Sequence, residues 1–279
     1  MSIKFEKDIL IQRRDGTIYD LGAEGIRVIS FDPPAPSYQH TYSQIGDFGA
    51  DLTATQVSQT SIPLVFDVYA RDNYDYELQR LKVLKIFSSV EPFYVINSRT
   101  PFMRWKVVAD GFAYPRLGNY WKAKNVSVNL VCYEGYAEST ATTLNPFTFK
   151  DGSYGIGMTI PFETPQYTFT NQPKFKFYNA SVIPLLANER PVTINFKGNA
   201  PKGLTITNRT TKQSFTYKKS LTASDEFKLI GLVPIVNGIQ RLGNDYSTRS
   251  FVDFASGYND IEVTGSSDFK ISFETRFYY

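Results

Sequence analysis

Few side chains in this sequence could carry out covalent chemistry. His40 is the only histidine and Cys132 the only cysteine. A Ser-His-Asp or Cys-His site would have to use His40 as its base. That residue lies in a Pro/Tyr-rich stretch with no nucleophile signature beside it, so an ordinary loop histidine is expected. Cys132 falls in phase with Val126, Val128 and Leu130, as in a strand, which predicts a buried, inert thiol. A single cysteine allows no intrachain disulfide. A zinc site would need several Cys or His ligands, and these two residues are the whole supply. Gly152-Ser-Tyr-Gly155-Ile-Gly157 is glycine-dense but lacks the lysine and the βα setting of a phosphate loop, and reads as turn material. No catalytic, metal-binding or cofactor-binding residue is predicted.

Weaker chemical signals remain. Asp225, Glu226, Asp253, Asp260, Glu262, Asp268 and Glu274 could supply the two carboxylates of a glycosidase. Most sit at strand ends or on polar faces, where solvated acids are the default. Sugar stacking needs exposed aromatics. Tyr167, Tyr217, Tyr246 and Tyr258 are candidates, beside Tyr154 and Tyr178, with some necessarily core. Both tryptophans, Trp105 and Trp121, fall in the first half, which weakens that reading for the second. Single-stranded nucleic acid would call for aromatics interleaved with clustered positive charge. Only Lys218-Lys219 and Lys122/Lys124 come close. Net charge is +3; residues 1–140 carry 15 basic and 16 acidic side chains, and residues 141–279 carry 15 and 11. Neither half has the basic excess of a dedicated nucleic-acid binder.

The elements that would position these residues are mostly strands. Phe and Tyr number 22 and 19 of 279 residues and favour pleated surfaces. In the last eleven residues, Phe269, Ile271, Phe273, Phe277 and Tyr279 alternate with Lys270, Ser272, Glu274 and Arg276, predicting a half-buried strand. Asp15-Gly16 marks a hairpin between 9–12 and 18–21. Further strands are expected at 26–31, 62–68, 105–110 and 123–133. A second series is expected at 174–178, 191–197, 203–208, 214–218, 226–230, 250–254, 259–264 and 269–278. One long helix is predicted over about 73–90. Asp72 or Asn73 would cap it, and Leu78, Leu81, Leu84 and Phe87, supported by Tyr74 and Val83, would form its apolar stripe. Residues 32–60 lack a sustained apolar period, and a connection so long is often an interaction arm. The expected organisation is an N-terminal domain over 1–137, a linker with connecting strands over 138–173, and a C-terminal domain over 174–279. The opening residues lack the apolar core of a signal peptide, and no apolar run approaches the ~20 residues of a membrane span. Synthesis and folding in a cytoplasm are therefore expected, with the sequons at Asn125, Asn179 and Asn208 as chance matches.

The order of segments resembles a known family. Ile45-Gly46-Asp47-Phe48-Gly49 precedes Ile62-Pro-Leu-Val-Phe66, then a helix ending in Val90-Glu91-Pro92-Phe93. Trp105-Lys-Val-Val108 and Cys132-Tyr-Glu-Gly-Tyr-Ala-Glu138 follow. The second half adds Phe175-Lys-Phe-Tyr-Asn179, Ile206-Thr-Asn-Arg-Thr-Thr211, Phe215-Thr-Tyr217, Gly257-Tyr-Asn-Asp260 and the closing strand. Together these resemble distal tail proteins, the baseplate hubs of siphophages infecting Gram-positive bacteria. The resemblance implies a mainly β chain of two β-sandwich domains. The first would carry the single helix and form a hexameric ring; the second would be galectin-like or carbohydrate-module-like. It implies a non-enzymatic virion protein at the distal end of the tail, joining the tail tube to the tail-associated lysin or fibre and to receptor-binding protein. DNA and the tape-measure protein would pass through the bore, without sequence-specific nucleic-acid or membrane binding. Pro33, Tyr38, His40, Tyr42 and Phe48 are the candidate ring-interface residues. The alternative is a carbohydrate-binding module protein serving adsorption to the host cell wall.

Overall fold

The computed structural model describes residues 4–148, 152–247 and 250–279. The chain divides into two compact units, Met1–Glu138 and Ser139–Tyr279. Unit 1 contains β1 (Ile9–Gln12), β2 (Ile18–Asp20), β3 (Ile26–Phe31), β4 (Ser37–Gln44), β5 (Ala50–Ser58), β6 (Thr60–Tyr69), α1 (Asn73–Ile86), β7 (Phe93–Asn97), β8 (Met103–Ala109) and β9 (Lys122–Cys132). Its main sheet runs β2-β1-β7-β8-β9-β6-β3, with antiparallel neighbours throughout. Ile9 and Ile11 from one end of this path share one buried cluster with Ile26, Leu64 and Phe66 from the other. The sheet therefore curls around a common core. Cys132 lies in that core at the end of β9, in phase with Val126, Val128 and Leu130.

Helix α1 begins where its sequence supplies a cap. The Asp72 carboxylate accepts from the Asp75 backbone N–H at 2.8 Å, filling one of the donors left open at a helix start. The helix ends at Ile86, one turn short of the expected end. Ser89 accounts for the early stop: its hydroxyl donates to the Phe87 carbonyl at 3.1 Å and accepts from Ala109 N–H at 2.7 Å. A serine that bonds locally competes with the helical ladder. Arg13 then donates to the Ser88 carbonyl at 2.8 Å, placing a cation at the helix's negative end.

The inward face of α1 differs from the leucine stripe the spacing predicts. Tyr76, Gln79, Val83 and Ile86 are buried, followed by Phe87, which stacks on Phe66. Leu78, Leu81 and Leu84 point outward and are exposed. The helix carries two apolar stripes on nearly opposite sides, and the more polar one faces the core. Tyr76 meets Tyr114 at 5.6 Å, and burial pushes both hydroxyls above the ordinary tyrosine range.

After β10 (Glu138–Ser139), unit 2 contains β11 (Thr168–Thr170), β12 (Lys174–Asn179), β13 (Thr193–Asn199), β14 (Leu204–Asn208), β15 (Gln213–Tyr217), β16 (Phe227–Ile230), β17 (Val233–Val236), β18 (Ile239–Gln240), β19 (Gly257–Thr264) and β20 (Ser267–Glu274). Two sheets, β11-β20-β13-β16-β17-β18 and β12-β19-β14-β15, form a sandwich. Aromatic contacts join them. Phe169 of β11 stacks on Phe175 of β12 at 3.8 Å, Phe177 meets Phe273 at 5.4 Å, and Phe215 meets Phe227 at 6.2 Å. Phe269, Ile271 and Phe273 are buried at alternate positions of β20, which lies between β11 and β13. The protein is thus mainly β, with one α-helix among the described residues and β-sandwich architecture.

Residues of the segment expected as a connection also contribute to unit 2. Tyr154, Met158, Tyr167 and Phe169 are buried there, while 149–151 lie outside the described residues. The expected strand at 250–254 is absent. Phe254 makes only an isolated bridge with Leu185, and Asp253 N–H donates to the Gln213 side chain at 2.8 Å instead of to a ladder.

Candidate functional site

The stretch that lacked an apolar period, 32–60, is largely a two-stranded ribbon. β4 and β5 pair with each other and belong to no larger sheet. The opposed pairs Tyr38↔Val57, His40↔Thr55 and Tyr42↔Leu52 share one face. Gln39↔Gln56 and Thr41↔Ala54 occupy the other, where neutral polar groups prevail. A bulge between Thr41 and Tyr42 shifts the register, and Thr53 satisfies its hydroxyl there on the Thr41 carbonyl at 3.0 Å. Ring contacts run up the apolar face: Tyr38 stacks with His40 at 6.4 Å, and His40 tilts against Tyr42 at 6.3 Å. His40 Nδ1 is bound to Thr55 Oγ1 at 3.0 Å, so the sole imidazole serves as a cross-strand link.

Every β4 residue and nearly every β5 residue is exposed. At the tip, Ile45 N–H donates to the Gly49 carbonyl at 2.8 Å, Gly46 takes φ +60°, and Phe48 is 102% exposed. Nine strand residues span about 30 Å at ~3.4 Å each. An isolated two-stranded ribbon is marginal in water. An apolar stripe along such a ribbon points to a surface that covers it.

The base of the ribbon is fixed. Gly135, at φ +76°, leaves room for Val57, whose Cγ1 would stand 2.5 Å from any β-carbon there. Tyr38 and Tyr136 bring their hydroxyls to 3.4 Å. A rigid root and a bare shaft suit an arm that reaches beyond its own unit.

The second apolar feature of unit 1 is the outer side of α1. Tyr74, Leu78 and Leu81 recur at i, i+4 and i+7, and the two leucines are 65% and 64% exposed. Sequence spacing found these leucines but assigned them to the core.

Of the ring-interface candidates, the structure places Tyr38, His40 and Tyr42 together on one ribbon face and Phe48 at its tip, while Pro33 is half-buried before β4. Leu52 and Val57 complete the ribbon face and escaped notice, because they sit in a Thr/Gln/Ser-rich piece. The sugar-stacking candidates separate. Tyr167 and Tyr217 are core residues, 4% and 3% exposed, so neither offers a ring face to a ligand. The Tyr167 hydroxyl donates to the Tyr178 carbonyl at 2.6 Å, and burial holds it well above the usual tyrosine range. Tyr246 borders a cleft of about 610 Å³ with Leu186, Asn188 and Asp253. Both Asp253 oxygens are engaged there, by Ala187 N–H and the Gln213 amide, each at 2.8 Å. Tyr258 is exposed, tilts on Tyr178 at 4.7 Å and lies beneath the Lys176 ammonium.

Several acidic and basic groups elsewhere pair with each other. Arg104, buried, binds Glu138 at 2.6 Å and lies over the Tyr94 ring at 3.7 Å. Burial works against the Lys106 charge, but the Glu134 carboxylate at 2.8 Å prevails and keeps it protonated far above neutrality. Glu262 is held below the usual carboxylate range by Arg209 and Lys174. Among the described residues, no three His, Cys, Asp or Glu side chains converge as a metal site would require, and no helix is long and apolar enough to cross a membrane.

Comparison with known proteins points in one direction. Residues 14–132 match the model of the phage tail protein RIFT-related domain. No curated protein sequence is significantly similar to the chain. Among solved structures, the Dit protein (gp 19.1) of phage SPP1, described as a paradigm of the hub adsorption apparatus in phages infecting Gram-positive bacteria, aligns with a TM-score of 0.71. Sequence identity is 12%, over 96% of this chain and 99% of that one. A chain of the phage p2 baseplate in its activated conformation with Sr aligns at TM-score 0.50 and 7% identity, over 96% and 97% of the two chains. The same baseplate with Ca gives the same score and identity, over 97% and 98%. Residues 14–132 are therefore similar to the phage tail protein RIFT-related domain, and the chain from end to end has a fold like that of the SPP1 Dit protein.

Proposed function

We propose that this protein is a structural, non-enzymatic hub at the distal end of a siphophage tail, and that it works by assembling with copies of itself into a hexameric ring. The observation that carries the reading is the β4–β5 ribbon: an arm rooted at Gly135 and Tyr136 whose apolar face and tip are largely exposed among the described residues. The tail-domain match to the unit that bears the arm, and the end-to-end fold likeness, support it. In this role the ring joins the tail tube to the tail-associated lysin or fibre, carries receptor-binding protein, and lets DNA and the tape-measure protein through its bore. The Ser/Gln/Thr face of the ribbon, whose one charge is the acidic Asp51, suits a surface past which a polyanion must slide. The protein is made and assembled in the host cytoplasm and resides in the virion. Light scattering on the purified chain, alone and with its tail-tube protein, tests this. Six-fold particles support it; a monomer under both conditions contradicts it.

A second reading, adsorption to cell-wall carbohydrate through unit 2, rests on exposed Tyr258 beside Lys176 and on the Tyr246 cleft. Pull-down of the full chain by purified wall polysaccharide, lost in Tyr258→Ala, would support it. Absence of binding to any wall fraction removes it.

A further inference from the structure

The two apolar features of unit 1 are complementary in charge as well as in chemistry. The ribbon tip presents Ile45 and Phe48, both exposed, flanked by Asp47 and Asp51. From 37 to 58 the chain carries these two acids and no lysine or arginine. Neither Asp47 nor Asp51 makes an ion pair among the described residues. The outer face of α1 presents Tyr74, Leu78 and Leu81, flanked by Arg80 and Lys85. Of the acids of this helix, Asp75 accepts from the N–H of Arg71, just before it, at 3.0 Å, and Glu77 pairs with Arg80 at 3.5 Å, where both side chains are half exposed. Lys82 is held by Glu24, whereas Lys85 has no ion pair among the described residues.

We infer that the ribbon tip of one copy seats on the outer face of α1 in the next copy. Phe48 and Ile45 lie against Leu78 and Leu81, and Asp47 and Asp51 face Lys85 and Arg80. The inference rests on the ring reading and says which surfaces close it. Within one chain the two patches do not cover each other, since Phe48 and Leu78 both remain exposed. Each copy offers two different surfaces, so the contact is head-to-tail, the kind that closes a ring when its rotation permits and does not stop at a two-fold dimer. A large aromatic set in an apolar site and rimmed by opposite charges has the anatomy of an interface anchor. Charge pairing at the rim fixes the register of the approach and rejects the reversed one.

Site-directed cross-linking of the full chain tests this. Phe48→Cys and Leu81→Cys are made separately in a Cys132→Ser background, mixed, and gently oxidised. The expected result is a disulfide dimer in the mixture that neither variant gives alone, and a ladder of multimers from the doubly substituted chain. Phe48→Cys mixed with Ile18→Cys, exposed elsewhere on unit 1, is the control and gives none. Phe48→Ala should weaken association at least about 30-fold, the loss expected of an anchor residue. Asp47→Lys with Asp51→Lys should abolish assembly, and adding Arg80→Glu with Lys85→Glu should restore it. Rings that survive Phe48→Ala and Leu81→Asp, without the specific cross-link, overturn this pairing and leave the ring reading standing. Failure of the unsubstituted chain to assemble, alone or with tail partners, overturns both. A tip that cross-links only to an added tail protein assigns it to that partner and overturns the pairing.

Discussion

Substituting the two sides of α1 in parallel separates folding from assembly. Ile86 is fully buried, and Ile→Ala at such a site costs about 2–5 kcal/mol through lost transfer energy and the cavity left behind. Leu81 is 64% exposed, so only about a third of its burial energy is at stake. Full burial of a leucine is worth about 1.5–3 kcal/mol, which leaves roughly 0.5–1. Alanine's higher helix propensity offsets a few tenths of that. For a unit of 138 residues, roughly 3–4 °C per kcal/mol gives a drop of about 10 °C for Ile86→Ala and at most about 3 °C for Leu81→Ala. Calorimetry should be run at two protein concentrations, because association stabilises by mass action. The Ile86→Ala shift should be the same at both. The Leu81→Ala shift should nearly vanish at the lower one, while light scattering shows weakened association. Equal losses of melting temperature in dilute solution would mean that the helix faces are assigned the wrong way round.

Other expectations follow from the same geometry. Gly135→Ala places a methyl 2.5 Å from Val57 Cγ1 in a positive-φ conformation, and should cost about 1–3 kcal/mol while loosening the ribbon root; faster proteolysis within 37–58 is the readout. Removing Arg104 alone should cost about 3–5 kcal/mol, because Glu138 stays buried, whereas replacing both by apolar residues of similar volume should cost far less; chemical denaturation distinguishes the two. The Asp225 carboxylate accepts from the Asn237 amide at 2.8 Å and from Thr222, which depress its pKa from 3.8 to about 2. A depressed carboxylate stabilises the fold above its unfolded pKa and loses that contribution as pH falls, here between about 3.8 and about 2. NMR titration should find this midpoint near 2, and Asn237→Ala should return it towards the ordinary value.

Much of the architecture could be read from alternation alone. Phe269, Ile271 and Phe273 alternate into the core, and Cys132 is buried in phase with its neighbours, as period two requires. What alternation left unread is which face of an element is covered. Tyr38, His40 and Tyr42 do alternate, but their intervals are filled by Gln and Thr, and the bulge at Thr41 breaks the match with β5. In α1, spacing picks out one stripe led by Leu78, Leu81 and Leu84 and cannot say which side the sheet covers; the covered positions are Tyr76, Gln79, Val83 and Ile86, and the leucines are outside. Likewise, strand period does not tell a buried tyrosine such as Tyr217 from an exposed one such as Tyr258, since that depends on which face the opposing sheet covers.

The most direct test of self-assembly is the mass and symmetry of the purified chain, by light scattering and negative-stain imaging, alone and mixed with its tail-tube protein. Closed rings with six-fold symmetry, lost when Phe48 and Leu81 are made polar, are predicted. A single-chain mass at high concentration in both preparations would contradict the account.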